Sequence, residues 1–452
     1  MSRPIPAIPM PLGWSDVLAA CLMGPGAAQA FEEACREYHG AVKAFAISSG
    51  RAAIWVALQA LKRVRPERTR VLLPAYTCPT VGRAVMAAGL SGLCVDVSLD
   101  DFNLDVDQTA AAIDDTTLAV IAPHMFGTPA DVVRLREICQ TSGAPLIEDA
   151  AQASGARFDG RLVGTFGEMA VLSLGRSKSL RGCRGGVLLV NDPDLVGVVA
   201  EEVSHLPSGG WLSASEVCRQ LAICTLSAPR MWQMAKQLPW LHVGAEDQEF
   251  DAKPEQLSAW KAGLGSLALK RLEAYNAHRA RLGRSMDQEL SGALRAHSQA
   301  KASPRESVYA RLALRLDCSR DERDAVEQAL QAEGIDARAF YSRAIYQYNW
   351  WTPAPHQGPC PNAERLVATN LALPVYWGMD EPEAEAVARA LLNALLAGGR
   401  RAGSASTSGE SETEADMMHG GRSCARRGAA NDQLARTDDK GQRASAATDN
   451  SD

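Results

Sequence analysis

The sequence predicts an α/β protein: a large domain built on a mostly parallel sheet, a smaller α+β domain after it, and a tail without fixed structure. From about residue 44, short apolar or β-branched runs alternate with helical patterns, the signature of βαβ units. After residue 256 one long helical pattern leads into a mixed set of strands and helices. Beyond Gly398 the composition collapses into Ser, Thr, Gly, Asp, Glu and Arg with no period, too few apolar residues to build a core.

Six runs read as buried strands of the large domain: Val71-Leu72-Leu73, Gly92 to Val97, Leu118 to Ala122, Pro145 to Asp149, Met169 to Leu174 and Gly186 to Val190. Helical patterns sit between most of them, among them Ala52 to Arg63 and Ala130 to Gln140. The stretch 205–248 mixes Trp211, Trp232 and Trp240 with Arg219, Arg230 and Lys236, and predicts an amphipathic helical insertion. Its apolar face is expected to pack within the protein or a dimer, with contact to a membrane surface as the alternative. A single helix is expected from Leu257 to Leu290, then a strand from Val308 to Leu316, a helix from Asp321 to Glu333 closed by Gly334, and a helix from Glu381 to Ala397. These readings divide the chain into a large domain over 1–256, a linking helix and small domain over 257–398, and a tail over 399–452.

A formal net charge of −6 over 452 residues gives no basic field to hold a nucleic-acid backbone. The eleven cysteines are scattered, odd in number and without metal-ligand spacing, so reduced thiols in a cytoplasm are expected and no metal site is. Leu18-Ala19-Ala20-Cys21 and Ala28-Gln29-Ala30 resemble processing sites, but Arg3 stands alone and Pro6, Pro9, Pro11 and Asp16 interrupt the apolar run that an export signal needs.

Chemistry concentrates in three places. Leu146 to Asp149 is an apolar strand ending in a carboxylate at its C-terminal edge, where open α/β sheets bind ligands. Alone, Asp149 reads as readily as a helix cap. Ser173 to Leu180 is a strand running into a turn of small residues that carries Lys178, followed by Gly182-Cys183-Arg184-Gly185-Gly186. A Schiff-base lysine needs partial burial, with hydroxyls and glycines that let a phosphate approach, although a lone lysine in a polar turn is ordinarily just solvated. Ser48-Ser49-Gly50-Arg51 is a strand-to-helix turn whose backbone N–H groups suit a phosphate. Together a carboxylate, a lysine and a phosphate turn suggest pyridoxal phosphate (PLP), whose protonated ring nitrogen needs a carboxylate beside it.

In this order the motifs resemble the DegT/StrS family of PLP-dependent sugar aminotransferases, of the aspartate-aminotransferase fold type, over roughly residues 40 to 395. Ser49-Gly50, Val95-Asp96-Val97 with Phe102-Asn103-Leu104-Asp105, His124-Met125-Phe126-Gly127, Glu148 to Ala153, Ser173 to Gly186 and Leu371-Ala372-Leu373-Pro374 carry the resemblance. It implies that Lys178 holds PLP as a Schiff base, Asp149 pairs the pyridine nitrogen, Gln152 lies on the ring-hydroxyl side, Ser173 touches the phosphate, and the amides of Gly50 and Arg51 hold it. Three departures from the family pattern stand out. Arg51 replaces a threonine, Cys78 stands where an aromatic residue stacks on the ring, with Tyr76 as a candidate substitute, and Asp251 and Lys253 fall where the partner subunit's Asn-x-Arg reaches the phosphate.

The resemblance further implies a homodimer that moves an amino group from an amino-acid donor, glutamate by family habit, to a keto group on a sugar, often nucleotide-linked. Lys178 argues against the family's dehydratases, in which a histidine replaces the lysine. A non-sugar keto acceptor stays open, and a non-catalytic scaffold is the reading from another class, opposed by the retained Asp149, Gln152 and Lys178.

Overall fold

The computed structural model describes residues 12–175, 178–180, 184–226, 254–291, 296–299, 304–355 and 357–407. Two short helices open it, α1 (Trp14–Cys21) and α2 (Ala27–His39), before the strands β1 (Lys43–Ile47), β2 (Arg70–Pro74), β3 (Ser91–Val95), β4 (Thr117–Pro123), β5 (Leu146–Asp149), β6 (Arg157–Phe158), β7 (Arg161–Leu162), β8 (Met169–Ser173) and β9 (Gly186–Val190). Interleaved are α3 (Gly50–Val64), α4 (Pro79–Ala87), α5 (Val106–Ala112) and α6 (Val132–Ser142), followed by α7 (Val196–Ser204) and α8 (Ala214–Leu226).

Seven strands form one sheet in the order β1-β9-β8-β5-β4-β2-β3. The pairs from β3 through β8 are parallel, whereas β9 runs antiparallel to both β8 and β1. All seven residues of β4 are buried, as expected where helices cover both faces of a parallel sheet. Helix α3 shows how the covering works: Ala53, Val56, Ala57, Ala60 and Leu61 are fully buried. Burying Leu61 stabilises by ~1.5–3 kcal/mol, an upper figure because denatured chains already hide some surface. The short β6–β7 hairpin joins a later strand in its own sheet.

The expected helix from Leu257 to Leu290 is two helices, α9 (Ala259–Lys270) and α10 (Leu272–Leu290), separated at Arg271. Its guanidinium forks onto the Asp16 carboxylate, with 2.8 and 2.7 Å bonds that hold the break against α1. A smaller sheet of order β10-β12-β13 follows, formed by β10 (Ala296–Ser298), β12 (Leu312–Leu316) and β13 (Asn370–Leu373), while β11 (Arg305–Glu306) pairs with β6. The strand expected from Val308 begins only at Leu312. Residues 308–311 instead turn away, with Tyr309 at φ 45°, to dock on the 125–127 turn. Helices α11 (Arg320–Ala332) and α12 (Pro361–Thr369) cover this part, and Gly334, at φ 85°, follows α11 as predicted. Helix α13 (Glu381–Thr407) passes through Gly398 and Gly399, where the sequence suggested an end. Two glycines weaken a helix by ~1 kcal/mol each without forbidding it.

Of the expected insertion over 205–248, α8 is described, and it meets α1 through a 3.0 Å bond from Trp14 Nε1 to Thr225 Oγ1. Trp211 is 48% exposed, while Trp232, Trp240, Arg230, Lys236, Asp251 and Lys253 lie outside the described residues, as does the tail after Thr407. Among the described residues no helix is long and apolar enough to cross a membrane.

Candidate active site

The C-terminal ends of β4, β5 and β8 lie side by side, with Pro123 paired to Asp149 and Asp149 to Val171. Asp149 is the last residue of β5. Its Oδ1 accepts 3.1 Å from the amide of Ala151, and its backbone carbonyl accepts from the amide of His124. Burial raises its carboxyl above the usual aspartate range, partly offset by the charge of Lys178, the Ala151 amide and His124. Lys178 thus lies close enough for its charge to act on Asp149. The lysine sits half-buried in the turn after β8, its amide 3.0 Å from the Gly175 carbonyl. A methyl group on Gly175 would come within 3.2 Å of Lys178 Cγ, so the small residue leaves room for the lysine stem.

Glu148, one residue before Asp149, is anchored the other way. It is wholly buried and accepts from His124 Nε2 at 3.1 Å and from the amides of Gly164, Phe166 and Gly167 at 2.6–2.7 Å. Burial pushes this carboxyl up, but the His124 hydrogen bond and charge and the amides outweigh it, leaving it below the usual glutamate range. His124 Nδ1 accepts from the Ala130 amide at 3.0 Å, which assigns the ring proton to Nε2, facing Glu148.

Gln152 links the turn after β4 to Tyr341, far along the chain. Its Oε1 accepts from the Phe126 amide at 3.1 Å, its Nε2 donates to the Tyr341 hydroxyl at 3.2 Å, and its carbonyl accepts from Ser179 Oγ. Ser49 caps α3, accepting from the Ala52 amide at 3.2 Å, so the helix begins at Gly50 and Arg51 as the sequence suggested. Ser173 lies beside this start: a Cβ on Gly50 would be 3.3 Å from Ser173 Cβ. Gly186, paired with Ser173, is where the backbones crowd, because a Cβ there would be 2.5 Å from Gly50 N.

Tyr76 does not stand open to a ligand. It is fully buried, its hydroxyl donates to the Phe340 carbonyl at 3.3 Å, and its ring meets Tyr341 edge-on at 5.3 Å. Tyr76 lies past the end of β2, in a bend where Ala75 and Thr77 are buried as well. Cys78 is half-buried at the start of α4, its Sγ 3.1 Å from Thr80 Oγ1, and its charge would act on Tyr341. Sequence reasoning missed Tyr341. Burial first, then Cys78 and Tyr76, hold its phenol well above the usual range, and its φ of 58° is uncommon for so bulky a residue. The only sequence cue was an aromatic pair, Phe340-Tyr341, in a segment without helical or strand period.

The fold is that of the PLP-dependent transferases. It matches the Helicobacter pylori aminotransferase PseC, involved in the biosynthesis of pseudoaminic acid, with TM-score 0.71 at 16% identity, over 87% of this chain and 99% of that one. A family model described as the DegT/DnrJ/EryC1/StrS aminotransferase family matches residues 18–392, and the chain belongs to that family. Its curated relatives include an L-glutamine:2-deoxy-scyllo-inosose aminotransferase of Streptomyces kanamyceticus, 33% identical over 46% of this chain, where the chain spans only half of the relative's length. Another is a dTDP-3-amino-3,4,6-trideoxy-alpha-D-glucose transaminase of Streptomyces venezuelae, 27% identical over 80% of this chain and 85% of the relative.

Proposed function

We propose that this chain is a PLP-dependent aminotransferase that moves an amino group from glutamate or glutamine to a keto group of a sugar, nucleotide-linked in the leading reading. The observation that carries it is the pairing of a desolvated Asp149 with the Lys178 charge at the C-terminal edge of the sheet. The residues present fit the cofactor. Asp149 has the surroundings of a carboxylate that gains from a positive partner, as a protonated pyridine nitrogen would be. The amide of Gly50, the capped start of α3 and the nearby Ser173 hydroxyl suit a phosphate, and Arg51 adds a charge that the family's threonine lacks. Bound there, PLP would supply the electron sink that makes the donor's α-carbon acidic. Asp149 would hold the proton on the ring nitrogen, Gln152 would stand at the ring-hydroxyl side, and Lys178 Nζ would take the proton from the α-carbon as general base. With Tyr76 turned inward, Cys78 is left on the face where the family stacks an aromatic ring.

A cyclic ketone without a nucleotide is a second acceptor class, favoured by the inosose-specific relative. A screen of nucleotide-linked keto sugars and keto-cyclitols, with glutamate and glutamine as donors and the cofactor absorbance as readout, separates the two. No turnover with any keto acceptor, together with no spectral change on adding either donor, would remove the reading.

We place the protein in the cytoplasm as a homodimer, in keeping with nine free cysteines among the described residues and with the exposed Trp14, Leu18, Leu22, Trp211 and Leu212 around α1 and α8. Light scattering tests the dimer. Acrylamide quenching of tryptophan fluorescence with and without liposomes tests the alternative of membrane contact, which requires the tryptophans to become protected only when lipid is added.

A further inference from the structure

The hydrogen bond from Gln152 to Tyr341 joins positions 189 apart and fixes how a half-buried side chain of the candidate site points. The Phe126 amide can only donate, so Gln152 Oε1 faces it at 3.1 Å, and Nε2 faces the Tyr341 hydroxyl at 3.2 Å. The Gln152 carbonyl is held separately, by Oγ of Ser179, the residue after Lys178. Nε2 carries two N–H groups. One is given to Tyr341, and the other has no protein acceptor among the described residues.

Tyr341 is held firmly where it meets Gln152. Its φ of 58° is a left-handed backbone that persists in a bulky residue only where the surroundings enforce it. The chain on both sides is pinned: the Ala339 amide donates to Glu327 Oε2 at 2.9 Å, the Phe340 amide to Asn370 Oδ1 at 3.3 Å, and the Ile345 amide to the Ala75 carbonyl at 2.8 Å. The ring is boxed by Tyr76 at 5.3 Å, Phe340 at 5.9 Å and Phe126 at 6.5 Å between centroids. Burial first, then Cys78 and Tyr76, raise the phenol well above its usual range, and Asp149 acts in the same direction. The hydroxyl is therefore a neutral group in a fixed place, close enough to Asp149 and Cys78 to feel their charge. A phenylalanine would pack against the same rings; the hydroxyl adds the acceptor for Gln152.

We propose that Tyr341 is a positioning residue of the transamination: its hydroxyl holds the Gln152 amide so that the second N–H is presented to the ring-hydroxyl side of the cofactor. The inference rests on the aminotransferase reading, in which Gln152 stands at that side. A donor held there favours the anionic form of the ring oxygen and lowers the pH at which its proton is lost. The terminal torsion of a glutamine is broad, so without its acceptor the amide turns and donates less well.

The test uses the full-length, cofactor-loaded protein as wild type, Tyr341→Phe, Gln152→Ala and the double variant. Two quantities are read: the pH midpoint at which the visible absorbance of the bound cofactor changes, and the rate at which that absorbance changes when the amino donor is added. Tyr341→Phe should move the midpoint upward by up to about one unit and slow the donor reaction roughly 3–10-fold, the range for one hydrogen bond. Neither effect should appear when the same substitution is made in Gln152→Ala, because the residue it acts through is gone. A merely structural hydroxyl predicts instead a lower thermal midpoint and equal effects in both backgrounds. Equal effects in both, no change in either quantity, or a Tyr341→Phe chain that does not fold would overturn the role. Wild type without a cofactor absorbance removes the aminotransferase reading and this role with it, whereas wild type that carries cofactor beside an unresponsive Tyr341→Phe variant removes the role alone.

Discussion

Glu148 and Asp149 are neighbours on β5, yet among the described residues the first accepts four hydrogen bonds and the second one, from an amide, beside the charges of Lys178 and His124. Successive strand residues face opposite ways, so the Glu148 side is packed by His124 and the 164–167 turn, and the Asp149 side by the lysine turn. The same chemical group is held below its usual pKa on one side and above it on the other. A carboxylate with every lone pair engaged holds a fold together; one that is desolvated and short of partners is prepared for a cation that arrives with a ligand.

The contrast can be broken by substitution. Glu148→Gln should be the most damaging change, because it leaves buried donors facing an amide and removes the charge they were arranged for. A loss of ~3–5 kcal/mol in a urea melt is expected, as for breaking a buried charged network. A loss under ~1 kcal/mol, the scale of an exposed pair, would mean that the network contributes no more than surface charges do. The signs of the pH dependence also differ. Glu148, lowered in the fold, gives stability that is present above its unfolded pKa near 4.5 and disappears as pH falls through the folded value. Asp149, raised in the fold, favours the folded state only while protonated, and that contribution fades as pH rises from 3.8 through the folded value.

Asp149→Asn should accordingly leave stability at neutral pH equal to or above wild type in the cofactor-free protein. Turnover should fall at least ~100-fold, the lower range for losing one preorganised electrostatic partner. Near-normal half-reaction rates in this variant would take Asp149 off the pyridine nitrogen.

Smaller effects sharpen the picture at the phosphate turn. Gly186→Ala would set a methyl 2.5 Å from Gly50 N and from Ser49 C, so the start of α3 must move. A cost of ~1–3 kcal/mol is expected from overpacking, with weaker cofactor retention on dialysis. Unchanged melting and retention would show that the turn yields freely. Ser49→Ala removes the cap from the Ala52 amide and should cost ~1 kcal/mol. A change below the error of a thermal melt would mean that water replaces the hydroxyl.

The Asp149 side was legible in the sequence because it rests on local pattern. An apolar strand ending in a carboxylate, a strand entering a small-residue turn with Lys178, and a Ser-Gly helix start each follow from residues a few positions apart. The six predicted strands of the main sheet appear with ends shifted by at most two residues, Gly186–Val190 without any shift. What stayed hidden depends on distant partners. Arg271 divides a continuous helical pattern through its fork to Asp16, 255 positions away. Tyr341 lies far along the chain, and no local period marks a tyrosine held at positive φ. Tyr76 was ambiguous for the same reason. Its burial is decided by Phe340, 264 positions on.

All of this depends on Lys178 carrying the cofactor opposite Asp149. Borohydride reduction of the purified protein, followed by proteolysis and mass spectrometry of the labelled peptide, tests it directly. The cofactor mass should be found on Lys178, and Lys178→Ala should lose both the label and the visible absorbance while keeping the fold. The label on any other lysine, or a Lys178→Ala protein that still carries it and transaminates, would contradict the account.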